Sequence, residues 1–79
     1  MSNYNFPHEA IAIIDEILTY GKSKGYSTAS WRHGTVEYHV NKAKGHITDW
    51  LYGIDRGEDH LGCALCRLAM AVSIREEKK

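Results

Sequence analysis

Two sets of side chains in this sequence stand at spacings that could do chemistry. His39, Lys42, His46 and Asp49 follow one another at i, i+3, i+7 and i+10. His60, Cys63 and Arg67 follow at i, i+3 and i+7. On helices, each set lines one face. Two imidazoles and a thiolate could hold a divalent metal, with Asp49, Asp59 or water as a further ligand. Two imidazoles can also donate to a phosphate. The competing reading is structural: histidines at the margin of a core hydrogen-bond across a helix pair and do nothing else. Cations divide the same way. Arg32, His33, Arg56 and Arg67 could clamp phosphates, while each taken singly is more often a solvated surface charge. Trp31 heads Trp31-Arg32-His33-Gly34. It reads as a core plug, or as a stacking surface for a base beside the free N–H groups of a helix start. Cys63 and Cys66 lie inside an apolar helical run, where two small buried residues are the first reading and a redox pair the least supported.

Three elements must position these groups, and the periodicity predicts an all-α, three-helix fold. The first helix is expected over about 7–20. Pro7 suits its first turn, Glu9 favours the positive end of the dipole, and Gly21 ends it. Its apolar face is Ala10, Ile13, Ile14, Ile17 and Leu18. A polar loop over 22–34 follows, with Lys24 among hydroxyls and glycine that would suit a phosphate or plain solvent; a loop of this length is usually functional or disordered. The second helix is expected over about 35–52, capped by Thr35 and ended by Gly53. Val36, Val40, Ala43, Ile47, Trp50 and Leu51 form its core stripe. The third is expected over about 58–76, with Leu61, Ala64, Leu65, Leu68 and Val72 facing inward. The short link Gly53-Ile54-Asp55-Arg56-Gly57 makes the second and third helices an antiparallel hairpin. That hairpin would bring the two polar strips together near His46, His60 and Cys63.

Length and charge narrow the function classes. A chain of 79 residues reads as one helical domain, 1–79, with a small core. Its stability would then gain from a homo-oligomer, with any site near a subunit interface. Ten Lys and Arg balance ten Asp and Glu, which argues against non-specific binding to a nucleic-acid backbone but leaves room for one small phosphorylated ligand. No apolar run approaches the ~20 residues that span a bilayer. Met1-Ser2-Asn3-Tyr4-Asn5 lacks the basic and apolar regions of a signal peptide, so a cytoplasmic protein with no membrane partner is expected.

The order of motifs is itself informative. Tyr20-Gly21, Lys24, Tyr26, Trp31, Gly34 and Tyr38 lead to His46-Ile47-Thr48-Asp49-Trp50, then Gly53, Asp55, His60-Leu61 and Ala64. Over about 11–70 this succession resembles the largely phage-encoded dATP/dGTP diphosphohydrolase N-terminal domain family. His46, Trp50, Asp55 and His60 match its pattern. Gly45 replaces an arginine, Ser30 an asparagine and Cys63 the second histidine of His-X-X-His. The Asp-X-Glu-Ser-Gly loop has contracted to Asp55-Arg56-Gly57-Glu58-Asp59. The resemblance implies cleavage of a purine deoxynucleoside triphosphate to the monophosphate and pyrophosphate, assisted by Mg²⁺ held on carboxylates. Asp49, Asp55, Glu58 and Asp59 would then be the catalytic, metal-holding candidates. Lys24, Trp31, Arg32, His39, Lys42, His46 and Arg67 would hold the nucleotide, with His46, His60 and Cys63 as an alternative metal set. No pair of Glu-X-X-Glu or Glu-X-X-Asp helical motifs accompanies them.

Three function classes follow. The first is a metal-assisted nucleotide pyrophosphohydrolase. The second is a non-catalytic oligomer that sequesters a purine nucleotide or a cyclic nucleotide signal of host immunity, an anti-defence sponge. The third is a structural or interaction protein whose polar strips only pin the hairpin. Pyrophosphate release, capture of intact nucleotide, or neither would tell them apart.

Overall fold

A computed structural model describes residues 7–23, 30–54 and 57–78, with the side chains of Lys22 and Ser23 excepted. Asp55, Lys24, Tyr26 and Arg56 lie outside the described residues. The described residues form α1 (His8–Ser23), a short 3₁₀ turn (Ser30–His33), α2 (Val36–Leu51) and α3 (His60–Glu77). There is no strand among them, and the fold is the all-α one expected.

Local chemistry sets the helix ends. Pro7 precedes α1 and its carbonyl accepts from the Ala10 N–H at 3.1 Å. The helix does not stop at Gly21 as expected; it runs on to Ser23. Nothing in the helix interior forbids glycine, which costs only about 1 kcal/mol there. Part of the expected polar loop is thus helix, and its far end is the 3₁₀ turn. Thr35 caps α2 as expected, its hydroxyl accepting from the Tyr38 N–H at 3.0 Å. At the other end Gly53 has φ +67°. Its N–H reaches the Trp50 carbonyl at 3.2 Å and the Ile54 N–H reaches the Asp49 carbonyl at 2.9 Å. That pair of bonds is a Schellman motif, which needs a left-handed residue at this position and so favours glycine. The expected start of the third helix is corrected from 58 to His60. Asp59 is the cap, accepting from the Gly62 N–H at 3.0 Å, which leaves Glu58 before the helix rather than in its first turn.

The central element is α3. It packs along α2 as a hairpin, carries α1 on another face, and touches the 3₁₀ turn near its far end. Buried residues are mostly small: Ala43 from α2 meets a helix whose own buried positions are His60, Gly62, Ala64, Cys66, Ala71 and Ile74. Small side chains let the two helix axes approach closely.

The expected apolar stripes are only partly buried, and this is a correction. Val40, Ile47, Trp50, Leu51, Leu61, Leu68 and Val72 all remain more than a third exposed. Ile47, Leu61 and Leu68 border an open apolar groove of about 460 Å³, whose wall on the α1 side includes Ala10 and Ile13. The reason is topological. Both α1 and α2 pack on α3 without packing on each other, so the surfaces they turn toward one another are left uncovered. Among the described residues no helix is long and apolar enough to cross a membrane.

Candidate functional site

The hairpin brings His46 of α2 against His60, the first residue of α3. Their Nδ1 atoms stand 3.1 Å apart. The Glu58 carboxylate lies 3.8 Å from His46 Nδ1 and 3.7 Å from His60 Nδ1. The three groups form a cluster whose ligand atoms all lie within 4.8 Å of one another.

The Schellman turn does more than end α2. It reverses the chain so that the Ile54 carbonyl faces His60 Nε2 at 2.9 Å. A carbonyl only accepts, so Nε2 of His60 carries the proton and donates it. In the neutral ring Nδ1 is then a bare lone pair, directed at His46. The neutral His46 completes the contact as Nδ1–H donating to His60 Nδ1. Sequence thus acts through four steps: Gly53 sets the turn, the turn aims a carbonyl, the carbonyl selects a tautomer, and the tautomer presents a lone pair.

A second histidine network lies one heptad earlier on α2, about 10 Å along the axis. His39 Nε2–H donates to the Trp31 carbonyl at 2.8 Å, and Arg67 Nη1 donates to His39 Nδ1 at 3.1 Å. His39 is 1% exposed. Both its nitrogens are taken by protein groups, so the ring ties the 3₁₀ turn and α3 to α2. Tyr38 stands beside it, edge-on at 5.3 Å. Lys42 and Arg67 lie 5.6 and 5.8 Å from the Tyr38 ring centroid, within cation–π range.

The remaining sequence-predicted residues are placed as follows. Trp31 is partly buried in the 3₁₀ turn with the Arg32 guanidinium 4.6 Å over its ring, so one stacking face is already covered. Arg32 also pairs with Glu77. Lys42 is exposed and Asp49 half-buried on α2. Asp59 is engaged as the α3 cap. Cys63 does not join the His46–His60 contact; Glu58 occupies the third position instead. Burial pushes the Cys63 thiol up from its ordinary range, Glu58 and Asp59 push it further, and Arg67 opposes them. A thiol held protonated is a poor ligand. Burial and the neighbouring Cys63 likewise raise Cys66, against Arg67. Both cysteines are free.

Sequence reasoning missed the Ile54 carbonyl, and a main-chain acceptor has no side-chain signature. Gly53 was the legible trace of it. The grouping of Glu58 with the histidines, rather than with Asp49 and Asp59, was equally invisible, because Glu58 precedes α3 and follows no helical spacing.

Cofactor chemistry follows from this donor set. Resident Mg²⁺ takes oxygen ligands and keeps octahedral geometry. Among the described residues the one convergent cluster offers a single carboxylate and two imidazoles, which does not fit it. Two imidazoles and a carboxylate suit a borderline transition metal.

Comparison with known proteins agrees with the order of motifs. A search of the curated proteins and of the solved structures finds no match. A family model described as dATP/dGTP diphosphohydrolase, N-terminal, matches residues 3–79. With nearly its full length covered, the chain belongs to the dATP/dGTP diphosphohydrolase N-terminal family.

Proposed function

We propose that this chain acts on a purine deoxynucleoside triphosphate, releasing the monophosphate and pyrophosphate, with the His46–Glu58–His60 cluster as the reacting centre. The family supports the hydrolase reading. The observation that carries the placement is the convergence of two imidazoles and one carboxylate at the hairpin mouth. In the reaction a water oxygen attacks the α-phosphorus and the bond from that phosphorus to the bridging oxygen breaks. Pyrophosphate leaves with the electron pair. The water's proton passes to the Glu58 carboxylate of the cluster, a suitable acceptor that has two oxygens. Lys42 and Arg67, flanking Tyr38 about two turns along the seam, supply positive charge for the phosphates. Any Mg²⁺ enters as the counter-ion of the nucleotide, since the cluster does not fit it as a resident ion.

A second reading is supported by one feature. The paired helical carboxylate motifs of all-α pyrophosphohydrolases are missing from the sequence, which favours capture of a purine or cyclic nucleotide without cleavage, in a homo-oligomer. One experiment separates the two. The chain is incubated with dATP or dGTP and a divalent cation, and pyrophosphate and monophosphate are quantified alongside a thermal shift. Pyrophosphate release that disappears in His46→Ala, with helical circular dichroism retained, is the expected result. Thermal stabilisation with the nucleotide recovered intact would replace cleavage by capture. Neither signal would leave the polar seam as a hairpin fastening only.

A further inference from the structure

We infer that His46, Glu58 and His60 form a three-ligand site for a divalent transition metal of the zinc class, with a fourth position open. The inference deepens the hydrolase reading and rests on it for the use of that open position, but the site stands on its own geometry.

Three observations carry it. First, His60 is already held as a metal-binding histidine is held. Its Nε2–H is committed to a main-chain carbonyl at 2.9 Å, the outer-shell contact that fixes the tautomer and ring orientation of ligating histidines. The ring is 6% exposed, so it has little freedom to turn away. Second, the spacing is right. Metal–nitrogen and metal–oxygen bonds of about 2.0–2.1 Å in a tetrahedron put ligand atoms about 3.3–3.4 Å apart. The nitrogen pair stands at 3.1 Å and the carboxylate at 3.7 and 3.8 Å, so small side-chain movements close the site. Third, the proton that occupies the position now has somewhere to go. On metal binding His46 yields Nδ1–H and carries its proton on Nε2, on a side chain that keeps 22% of its surface in solvent. Glu58, 51% exposed, is free to swing by rotamer change without disturbing the fold.

The composition of the site sets its selectivity. Imidazole nitrogen favours zinc, cobalt and nickel over magnesium and calcium. Two histidines with one glutamate leave a tetrahedral ion one exchangeable position, the arrangement of hydrolytic rather than structural zinc sites. Glu58 follows Gly53 by five residues and is the most exposed of the three ligands, so a phosphate or a water approaches from its side.

The test uses the full chain, stripped with chelator and titrated with Co²⁺ and then Zn²⁺. Visible absorption reports the cobalt geometry, and thermal melts report stabilisation. Expected are one ion per chain, intense tetrahedral cobalt bands, displacement by Zn²⁺ and no displacement by millimolar Mg²⁺. Glu58→Gln should weaken binding by at least about tenfold, and His46→Ala by at least as much, since losing even an outer-shell partner typically costs that. Circular dichroism of both should match the parent, since neither side chain is fully buried. Cys63→Ser should bind as the parent does. Absence of binding at about 100 μM cobalt or zinc, a total dissociation energy under about 5.5 kcal/mol by the usual affinity scale, would overturn the site. Binding that survives Glu58→Gln but is lost in Cys63→Ser would overturn this ligand set. Metal bound through the three residues without pyrophosphate release would sink the hydrolase reading and leave the site standing. Pyrophosphate release with no metal at the cluster would do the reverse.

Discussion

His39 and His60 are the two buried polar side chains among the described residues, and they are held alike. Each donates Nε2–H to a main-chain carbonyl from a segment flanking α2: Trp31 before it, Ile54 after it. The difference lies at Nδ1. His39 meets a guanidinium, which can only donate, so its lone pair is satisfied and sealed. His60 meets a second, partly exposed imidazole with a carboxylate less than 4 Å away. One end of the seam is closed by a permanent cation. The other keeps an exchangeable proton between two bases. The same residue type, held through the same atom, fastens the hairpin in one place and turns its second nitrogen toward another imidazole in the other.

The largest expected effect falls on the closed end. His39→Ala leaves the Trp31 carbonyl and the Arg67 guanidinium without their partner and opens a void around a ring that is 1% exposed. A cost of about 2–4 kcal/mol is expected, read as a lower urea midpoint at unchanged slope. If the loss is under about 0.5 kcal/mol, the closed network is not a fastening and the comparison collapses.

A glycine serves each carbonyl, and the two should respond differently. A Cβ on Gly34 would meet His39 Nε2 at 2.8 Å and the Tyr38 ring at 3.2 Å. Gly34→Ala should therefore cost about 1–3 kcal/mol through overpacking against a buried ring. Gly53→Ala meets nothing within 4 Å but must hold φ +67°, so about 1 kcal/mol is expected. Only the second should also weaken cobalt binding, because only it disturbs the carbonyl that aims His60. Equal effects on binding would erase the distinction between the two ends.

The smallest effect concerns the thiols. Folding raises both above their ordinary value of 9.0. The unfolded chain therefore releases these protons first as pH rises. Stability from the buried thiols is complete below pH 9.0 and declines as pH climbs through the higher folded values. Melting temperatures taken on either side of that pH should show a decline that Cys66→Ala reduces. Since Cys63 feels Glu58, Glu58→Gln should make the decline smaller and end it at a lower pH, because relieving that repulsion brings the folded thiol closer to its unfolded value, a link between the thiols and the open end.

The helices themselves were legible because their signals are local. Thr35 before α2, Gly53 after it and apolar residues at steps of three and four are sufficient to place a helical hairpin. The meeting of His46 with His60 was also readable, since distance from the turn along two antiparallel helices determines which residues face. Gly21 misled because a glycine's effect depends on whether the following turn is better satisfied by continuing. Glu58, and not Cys63, stands with the two histidines for a related reason. Periodicity orders residues inside a helix, and Asp59 moved the start of α3 two positions on, which put Glu58 in the turn where it is free to reach back.

By itself, then, the sequence determined the elements, their pairing and the family, all of which depend on residue type at short separations. Tertiary structure alone decided which histidine is sealed and which is open, and which apolar residues are covered. Those outcomes depend on what the far side of each group meets. Val40, Ile47 and Leu61 have the spacing of core residues yet stay exposed, because burial requires an opposing surface, and α1 and α2 each find theirs on α3 rather than on one another.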